Sequence, residues 1–333
     1  MAVTTPVERG VNTRNLMVVL ATLALAPLSA FAALYAVIVE GLGGEEQYST
    51  QFHEQVQAIR TASQPLATGG EVRVFTGEAA TRTALQEHFR TLAKSVKRDD
   101  RVAVYLIGHG SFDGQEFKFN IPGPDLTGQD VRRLLDGLPT ENQLLVSTGS
   151  ASGSLADVLK KDSRVLITAT RSGTERNATR FGGDFAAAFQ DPTADTDRSG
   201  SINAQEAFDF ASRRVEDFFK RETRIASEHP RIEGTRAARF TVAQLVPSVA
   251  AKQSASPERA QMATERDAIN GRIEELRLRK EQMEEATYLA DLEKLLLELA
   301  AAEEKIDALD GAPALEPEPQ PAPTEGVRSA PQG

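Results

Sequence analysis

Two short motifs in the sequence carry side chains that can do acid–base and nucleophilic chemistry. His109 lies in residues 101–111 (RVAVYLIGHGS), and Ser150 lies in residues 144–155 (LLVSTGSASGSL). A neutral imidazole can take the proton of a hydroxyl group, and the oxygen then becomes a nucleophile for a carbonyl carbon. Such a base also needs a partner that orients it. The two motifs could therefore supply a base and a nucleophile to one site.

The composition limits the chemistry and the partners of this chain. Its 333 residues include no cysteine, which excludes a thiol nucleophile, disulfides and thiolate metal sites. With 40% hydrophobic and 26% charged residues, the chain can bury one substantial core and carry an extra segment. The formal net charge is −10, mostly in residues 258–310, and no basic stripe is present. We therefore expect no nucleic-acid partner.

The N-terminal segment, residues 1–32, has the pattern of an export signal. Arg9 and Arg14 precede an uncharged run over residues 15–39, and Ala-Phe-Ala stands at 30–32. A basic start, a short apolar stretch and an A-x-A site are typical of a secretory signal peptide. The same run is long enough for a membrane anchor, which is the alternative. Both interpretations predict an exported protein, periplasmic or extracellular, and membrane contact only if residues 15–39 stay uncleaved.

The elements that must position His109 and Ser150 form an alternating pattern of strands and helices. Apolar runs of strand length are followed by helical patterns, the clearest over residues 81–96. The predicted strands cover residues 34–40, 71–76, 101–107, 143–147 and 164–168, and a short helix is predicted over 184–189. Strands separated by helices predict an α/β fold with a mostly parallel sheet covered on both faces. Loops at the carboxyl edge of such a sheet would then carry His109 and Ser150.

Several ordered motifs over residues 33–230 resemble the legumain-like peptidases, which have the caspase–haemoglobinase fold. The motifs are residues 35–43 with Tyr48, 108–111 with Gly114 and Phe117, 148–154, and 167–170 with Glu175. The resemblance implies a peptidase-like α/β domain over residues 33–245. It also implies that His109 is the catalytic histidine and that the amides of Gly110 and Ser150 form an oxyanion hole.

The sequence departs from the legumain-like pattern at two places. Ser150 stands where the family has its catalytic cysteine, and Ser49 and Thr50 stand where the family has a basic pair that shapes its asparagine pocket. A serine hydroxyl needs a better-aligned general base than a cysteine thiol does, and that base needs an orienting carboxylate. The sequence shows no obvious carboxylate for His109, since a loop aspartate such as Asp113 more often forms a turn. We therefore expect a degenerate peptidase domain, a pseudoenzyme that binds a peptide or protein.

Two alternatives to the degenerate peptidase remain open. The first is an active hydrolase in which Ser150 is the nucleophile and His109 the base. The second is a structural coiled-coil scaffold built on the C-terminal helices. Arg171, Glu175 and Arg176 are candidates either for the wall of the cleft or for an exposed charged loop. The other histidines, which are expected to be structural or on the surface, are His53, His88 and His229.

A second candidate site is a twelve-residue loop over residues 195–206. Oxygen-bearing side chains occupy the positions that an EF-hand-like calcium loop requires, with glycine at position 6 and an apolar residue at position 8. The predicted metal ligands are Asp195, Asp197, Ser199, Ser201, Asn203 and Glu206. The alternative is an acidic, capped helix N-terminus. Because the loop is single and has three carboxylates, we expect a weak, structural Ca²⁺ site.

The C-terminal part is a separate segment. Residues 246–257 have the composition of a linker, and residues 311–333, dense in Pro, Ala and Glu, are expected to be disordered. Between them, residues 258–310 form a helical pattern whose heptad phase shifts midway. The shift predicts a helical hairpin or an interrupted coiled coil, suited to self-association or partner binding. The alternative is that the apolar face packs on the α/β domain.

Overall fold

The computed structural model describes residues 32–245 and 257–310. The strands are β1 (Leu34–Glu40), β2 (Glu71–Phe75), β3 (Arg101–Ile107), β4 (Gly110–Phe112), β5 (Phe117–Phe119), β6 (Leu126–Thr127), β7 (Asn142–Ser147), β8 (Arg164–Thr168), β9 (Ser201–Asn203), β10 (Arg231–Glu233) and β11 (Thr241–Gln244). The helices are α1 (Glu46–Ser63), α2 (Arg82–Ser95), α3 (Gly128–Asp136), α4 (Ala156–Leu159), α5 (Phe181–Ala188), α6 (Ala204–Arg221), α7 (Pro257–Leu278) and α8 (Glu285–Asp310).

The central sheet has six strands in the order β10-β8-β7-β3-β1-β2. Five of them run parallel, and β10 pairs antiparallel with β8 at one edge. The predicted α/β class with a mostly parallel sheet is therefore confirmed. The five predicted strands agree with the observed ones to within one residue at each end. The short strands had no prediction, since two to four residues carry too little periodicity; they are β4, β5, β6, β9, β10 and β11.

Side chains of the sheet alternate between two cores. On one face, Ile38 and Tyr105 pack with helices α1, α5 and α6. On the other face, Val37 and Val104 pack with helices α2 and α3. Helices thus cover both faces, as the sequence predicted, and the apolar strands are buried on both sides.

Helix α5 begins earlier than predicted. It spans Phe181–Ala188, whereas the sequence pattern placed a helix over residues 184–189. The buried carboxylate of Glu228 accepts hydrogen bonds from the backbone amides of Arg180 and Phe181 and so caps the helix. A cap from a residue so far along the chain leaves no local signal in the sequence.

Helices α7 and α8 pack against each other through an apolar cluster of their own, formed by Ile269, Ile273 and Ala302. The shift in heptad phase coincides with the break between the two helices, where Lys280–Gln282 forms a 3₁₀ turn. Part of the apolar face is therefore buried inside the helix pair, whereas Leu289, Leu296 and Leu297 of α8 are exposed. Within the described ranges no helix has the length and apolarity needed to cross a bilayer. The predicted signal segment (apart from Ala32), nearly all of the linker, and the tail lie outside the described residues.

Candidate functional site

The loops that follow β1, β3 and β7 meet at the carboxyl edge of the sheet. Strand order reverses between β1 and β3, which is where open α/β sheets form a crevice. A Cβ atom added to Gly149 would lie 2.4 Å from the Gly108 carbonyl oxygen, and one added to Gly110 would lie 2.6 Å from the Ser150 carbonyl oxygen. The two loops therefore touch through their backbones, at a distance that only glycine permits. This contact brings the His109 and Ser150 loops together.

The ring of His109 is held between two aromatic rings. Its centroid lies 4.8 Å from that of Tyr48 and 5.0 Å from that of Phe52, both in edge-on geometry. The Nε2 atom lies 3.2 Å from the carbonyl oxygen of Gly43. Since a carbonyl can only accept, this bond requires a proton on Nε2 and leaves Nδ1 of the neutral ring as an acceptor.

A backbone carbonyl thus stands where a serine hydrolase would use a carboxylate. Among the described residues, no carboxylate hydrogen-bonds to His109. Asp113 accepts hydrogen bonds from the amides of Gln115 and Glu116 and from Lys118 Nζ, as a turn-forming aspartate does. Those hydrogen bonds, with that of Glu116 the strongest cause, hold the pKa of Asp113 well below its usual value. Asp113 therefore orients its own turn and not the histidine.

Ser150 is buried, with 6% of its surface exposed. Its Oγ donates a hydrogen bond of 2.7 Å to the carbonyl oxygen of Asn177. The next residue, Ala151, has a φ of +56°, in the left-handed region that disfavours side chains, and its amide donates to the Glu175 carbonyl at 2.7 Å. Thr179 Oγ1 donates to the Thr148 carbonyl on the other side. Residues 175–179, which we call the covering segment, thus close over Ser150.

The covering segment is fixed by side chains from a distant part of the chain. Glu175 Oε1 lies 2.6 Å from His229 Nδ1 and 3.0 Å from Arg171 Nε. At the other end, the Glu228 carboxylate accepts from the Arg180 amide at 3.0 Å. Burial raises the pKa of Glu228 to about 7, although these amide hydrogen bonds oppose the rise. Sequence reasoning missed Glu228, and it treated His229 as structural or surface without its partner.

The loop over residues 195–206 brings its carboxylates together. One oxygen each from Asp195, Asp197 and Glu206 lie within 4.8 Å of one another. Asp195 accepts from the amides of Ser199 and Gly200, and Gly200 has the left-handed φ of +77° that this turn needs. Burial raises the pKa of Asp195 to about 6 and also raises that of Glu206. Crowded oxygen donors of this kind fit a hard divalent cation.

The remaining predicted ligands of this loop have other contacts. Asn203 Oδ1 accepts from the Glu206 amide, and Glu206 Oε2 accepts from the Asn203 amide, which together form a capping box on α6. The Ser199 and Ser201 hydroxyl groups lie 2.9 Å apart. Both interpretations of the sequence, a calcium loop and a capped acidic helix terminus, thus have a counterpart in the same residues.

The loop also forms part of the contact between the α/β domain and the C-terminal helices, together with Arg239, which lies 3.7 Å from Glu275 of α7. Strand β9, which lies within this loop, pairs antiparallel with β11. The Arg198 carbonyl accepts a hydrogen bond from Arg266 of α7, a residue only 3% exposed. The Arg198 side chain lies 3.5 Å from Asp307 of α8. These polar contacts hold the helix pair on the α/β domain.

A comparison with models of known protein families found none that matches this chain, and a comparison with curated proteins found no similar sequence. The resemblance to the legumain-like peptidases therefore rests on the motifs alone and stays a prediction.

Proposed function

We propose that this chain is a legumain-like pseudoenzyme: an exported domain that binds a polypeptide at the His109–Ser150 crevice without cleaving it. The observation that carries the proposal is the hydrogen bond from Ser150 Oγ to the Asn177 carbonyl. A serine hydroxyl has one proton, and here that proton is given to a backbone oxygen and not to an imidazole. The oxygen is therefore not activated for attack on a carbonyl carbon.

The surroundings of His109 support the same conclusion. A general base becomes an imidazolium ion when it takes a proton, and a buried carboxylate normally stabilises that charge. At His109 the orienting group is the uncharged Gly43 carbonyl, at 3.2 Å, and the flanking groups are the rings of Tyr48 and Phe52. An aromatic enclosure stabilises an imidazolium ion much less than a carboxylate does.

The capacity to bind a peptide rests on the backbone. The amide of Ser150 donates no hydrogen bond to any residue of the described ranges. A free N–H at the end of a parallel strand can donate a hydrogen bond to a ligand carbonyl, as the amides of a peptidase oxyanion hole do. A ligand would reach it after displacing the covering segment, whose Asn177 carbonyl now occupies the position next to Ser150 Oγ.

The proposal is tested by screening the purified full chain against a peptide display library and against a fluorophosphonate probe. We expect selected peptides to bind the wild type and His53→Ala equally, because His53 is an exposed residue of α1. They should bind His109→Ala much more weakly, because the His109 loop touches the Ser150 loop and loss of the ring changes the wall of the crevice. We expect neither cleavage of the peptides nor labelling by the probe. Cleavage or labelling that disappears in Ser150→Ala would overturn the proposal, as would the failure of any peptide to depend on His109.

An active serine hydrolase is the second candidate, and one observation favours it. The Gly43 contact uses Nε2 of His109 as a donor, so Nδ1 is the ring nitrogen that could act toward Ser150. Rotation of Ser150 Oγ away from Asn177 would be required first. Labelling of Ser150 by the fluorophosphonate, with loss of labelling in His109→Ala, is the result that would favour this candidate.

We also propose that residues 195–206 bind Ca²⁺ as a structural ion. The three carboxylates, the Gly200 turn and the pairing of β9 with β11 support it. In a paired EF-hand, the strand of one calcium loop pairs with the strand of the second loop. Here β11 is the partner strand of β9. Isothermal titration should give one site per chain in the wild type and none in Glu206→Gln. Absence of a binding signal at millimolar Ca²⁺ would refute this site.

A further inference from the structure

A cavity of about 420 Å³ beside helices α5 and α6 is lined mainly by cationic side chains. Its lining consists of Arg180, Arg214, Asp217, Lys220 and Arg221. The cavity is distinct from the His109–Ser150 crevice and from the calcium loop, and no motif in the sequence drew attention to it.

Two of the arginines are held in place by one buried carboxylate. Asp184, only 5% exposed, accepts from Arg180 Nε at 3.0 Å and from Arg214 Nε at 2.9 Å. The guanidinium of Arg180 lies 4.0 Å from the ring centroid of Phe218, and that of Arg214 lies 5.2 Å from the ring centroid of Phe210. Aromatic faces and the shared carboxylate thus fix both side chains.

The donors that face the cavity are the terminal ones. The bonds to Asp184 use only the Nε atoms of Arg180 and Arg214. The Nη groups of both residues donate to no acceptor within residues 32–245 and 257–310. A planar guanidinium with its Nε already held presents its remaining N–H groups in a fixed direction, so little freedom is lost when an anion binds.

The side chains that line the cavity are mostly cationic, although the chain carries −10 overall. Four basic side chains and one acidic side chain line the cavity. The surrounding carboxylates are Asp184, beneath the two arginines, Glu216, which pairs with Lys220 at 2.7 Å, and Asp191 and Glu228, which interact electrostatically with Arg214 and Arg180. Net charge around the cavity therefore does not select an anion, and the selectivity rests on the lining arginines and their terminal N–H groups, which are unpaired within the described residues.

We propose that this cavity binds a phosphate-type anion, either free phosphate or a phosphomonoester group on a larger molecule. A tetrahedral oxyanion can accept from both guanidinium groups at once and still meet Lys220 or Arg221 with a third oxygen, which a chloride ion cannot do. The two sources share one recognition chemistry and differ in what is attached to the phosphate.

The test is titration of the full chain with inorganic phosphate and with phenyl phosphate at low ionic strength, with chloride as the reference anion. We expect saturable binding of phosphate that Arg214→Gln weakens at least about tenfold, since a charge-assisted fork is lost. The matched control is Arg213→Gln, because Arg213 is the exposed neighbouring residue outside the cavity. Affinity in this control should change less than about twofold.

Arg221→Gln is a second variant, which keeps the test valid if Arg214→Gln unfolds the chain. Tighter binding of phenyl phosphate supports a phosphorylated larger ligand, and equal binding supports the free anion. The proposal is overturned if phosphate binds no better than chloride, or if the Arg213 and Arg214 variants lose affinity equally.

Discussion

The buried carboxylate of Glu228 should make the stability of this protein depend on pH in an unusual direction. Glu228 is 3% exposed, and burial raises its pKa from 4.5 to about 7. Between these two values the folded chain holds a proton that the unfolded chain has lost, so the free energy of unfolding falls as pH rises. At about 1.4 kcal/mol per pH unit, the full loss between pH 4.5 and 7 is about 3 kcal/mol.

The perturbation that isolates this effect is Glu228→Gln. A glutamine keeps a carbonyl oxygen for the Arg180 and Phe181 amides but cannot ionise. The free energy of unfolding of the variant, relative to that of the wild type, should therefore rise by about 3 kcal/mol from pH 5 to pH 8. Glu222→Gln, at an exposed position after α6, is the matched control and should follow the wild type.

The assay is urea unfolding of the full chain, followed by far-ultraviolet circular dichroism at a series of pH values. The difference between wild type and variant removes the contribution of Asp195, whose pKa of about 6 acts in the same direction. Hydrogen exchange adds a local measurement, since ionised Glu228 should loosen α5 and the covering segment that it caps. If wild type and Glu228→Gln show the same pH dependence, Glu228 does not hold a proton in the folded state and the reasoning is refuted.

Three further changes test the packing. Gly149→Ala should destabilise the fold by about 3 kcal/mol in thermal unfolding, since the new Cβ would lie 2.4 Å from the Gly108 carbonyl oxygen; an unchanged melting temperature would contradict the backbone contact. Ile273→Ala should cost the helix pair about 3 kcal/mol and leave the α/β transition unchanged, while Leu297→Ala, at a position 65% exposed, should have little effect in the same circular dichroism experiment. Arg164→Met should cost about 2 kcal/mol in urea unfolding, because Arg164 is 2% exposed and makes three hydrogen bonds; a neutral result would mean that the buried guanidinium is dispensable.

The strands could be predicted from the sequence because each is a continuous apolar run of strand length, as β3 shows. The same reasoning placed His109 and Ser150 at the ends of β3 and β7, since glycine and small polar residues follow those runs directly. It did not find the partners of these side chains. The Asn177 carbonyl that accepts from Ser150, and the Gly43 carbonyl at His109, are backbone atoms that any residue type would supply.

Contacts between distant residues were the other part that could not be predicted. Glu175 and His229 are 54 positions apart in the sequence, and no sequence pattern around either residue predicts their contact. The sequence around Glu228 is polar and predicts an ordinary exposed glutamate. The burial of Glu228 follows only from the fold. The arginine pair on Asp184 joins residues of α5 and α6, and its effect depends on the packing of those two helices.

The pairing of β9 with β11 has a consequence for the order in which this protein can be made. A chain is synthesised from its N-terminus, and β11 follows the loop only after the 18 residues of α6 and the segment 222–240, which contains β10. Until residues 241–244 leave the ribosome, β9 is an unpaired strand, and Ile202, which is fully buried in the finished protein, lacks the neighbouring Ala243. A nascent or truncated chain ending before Thr241 should therefore bind calcium more weakly than the full chain does, and it should be a better substrate for chaperones.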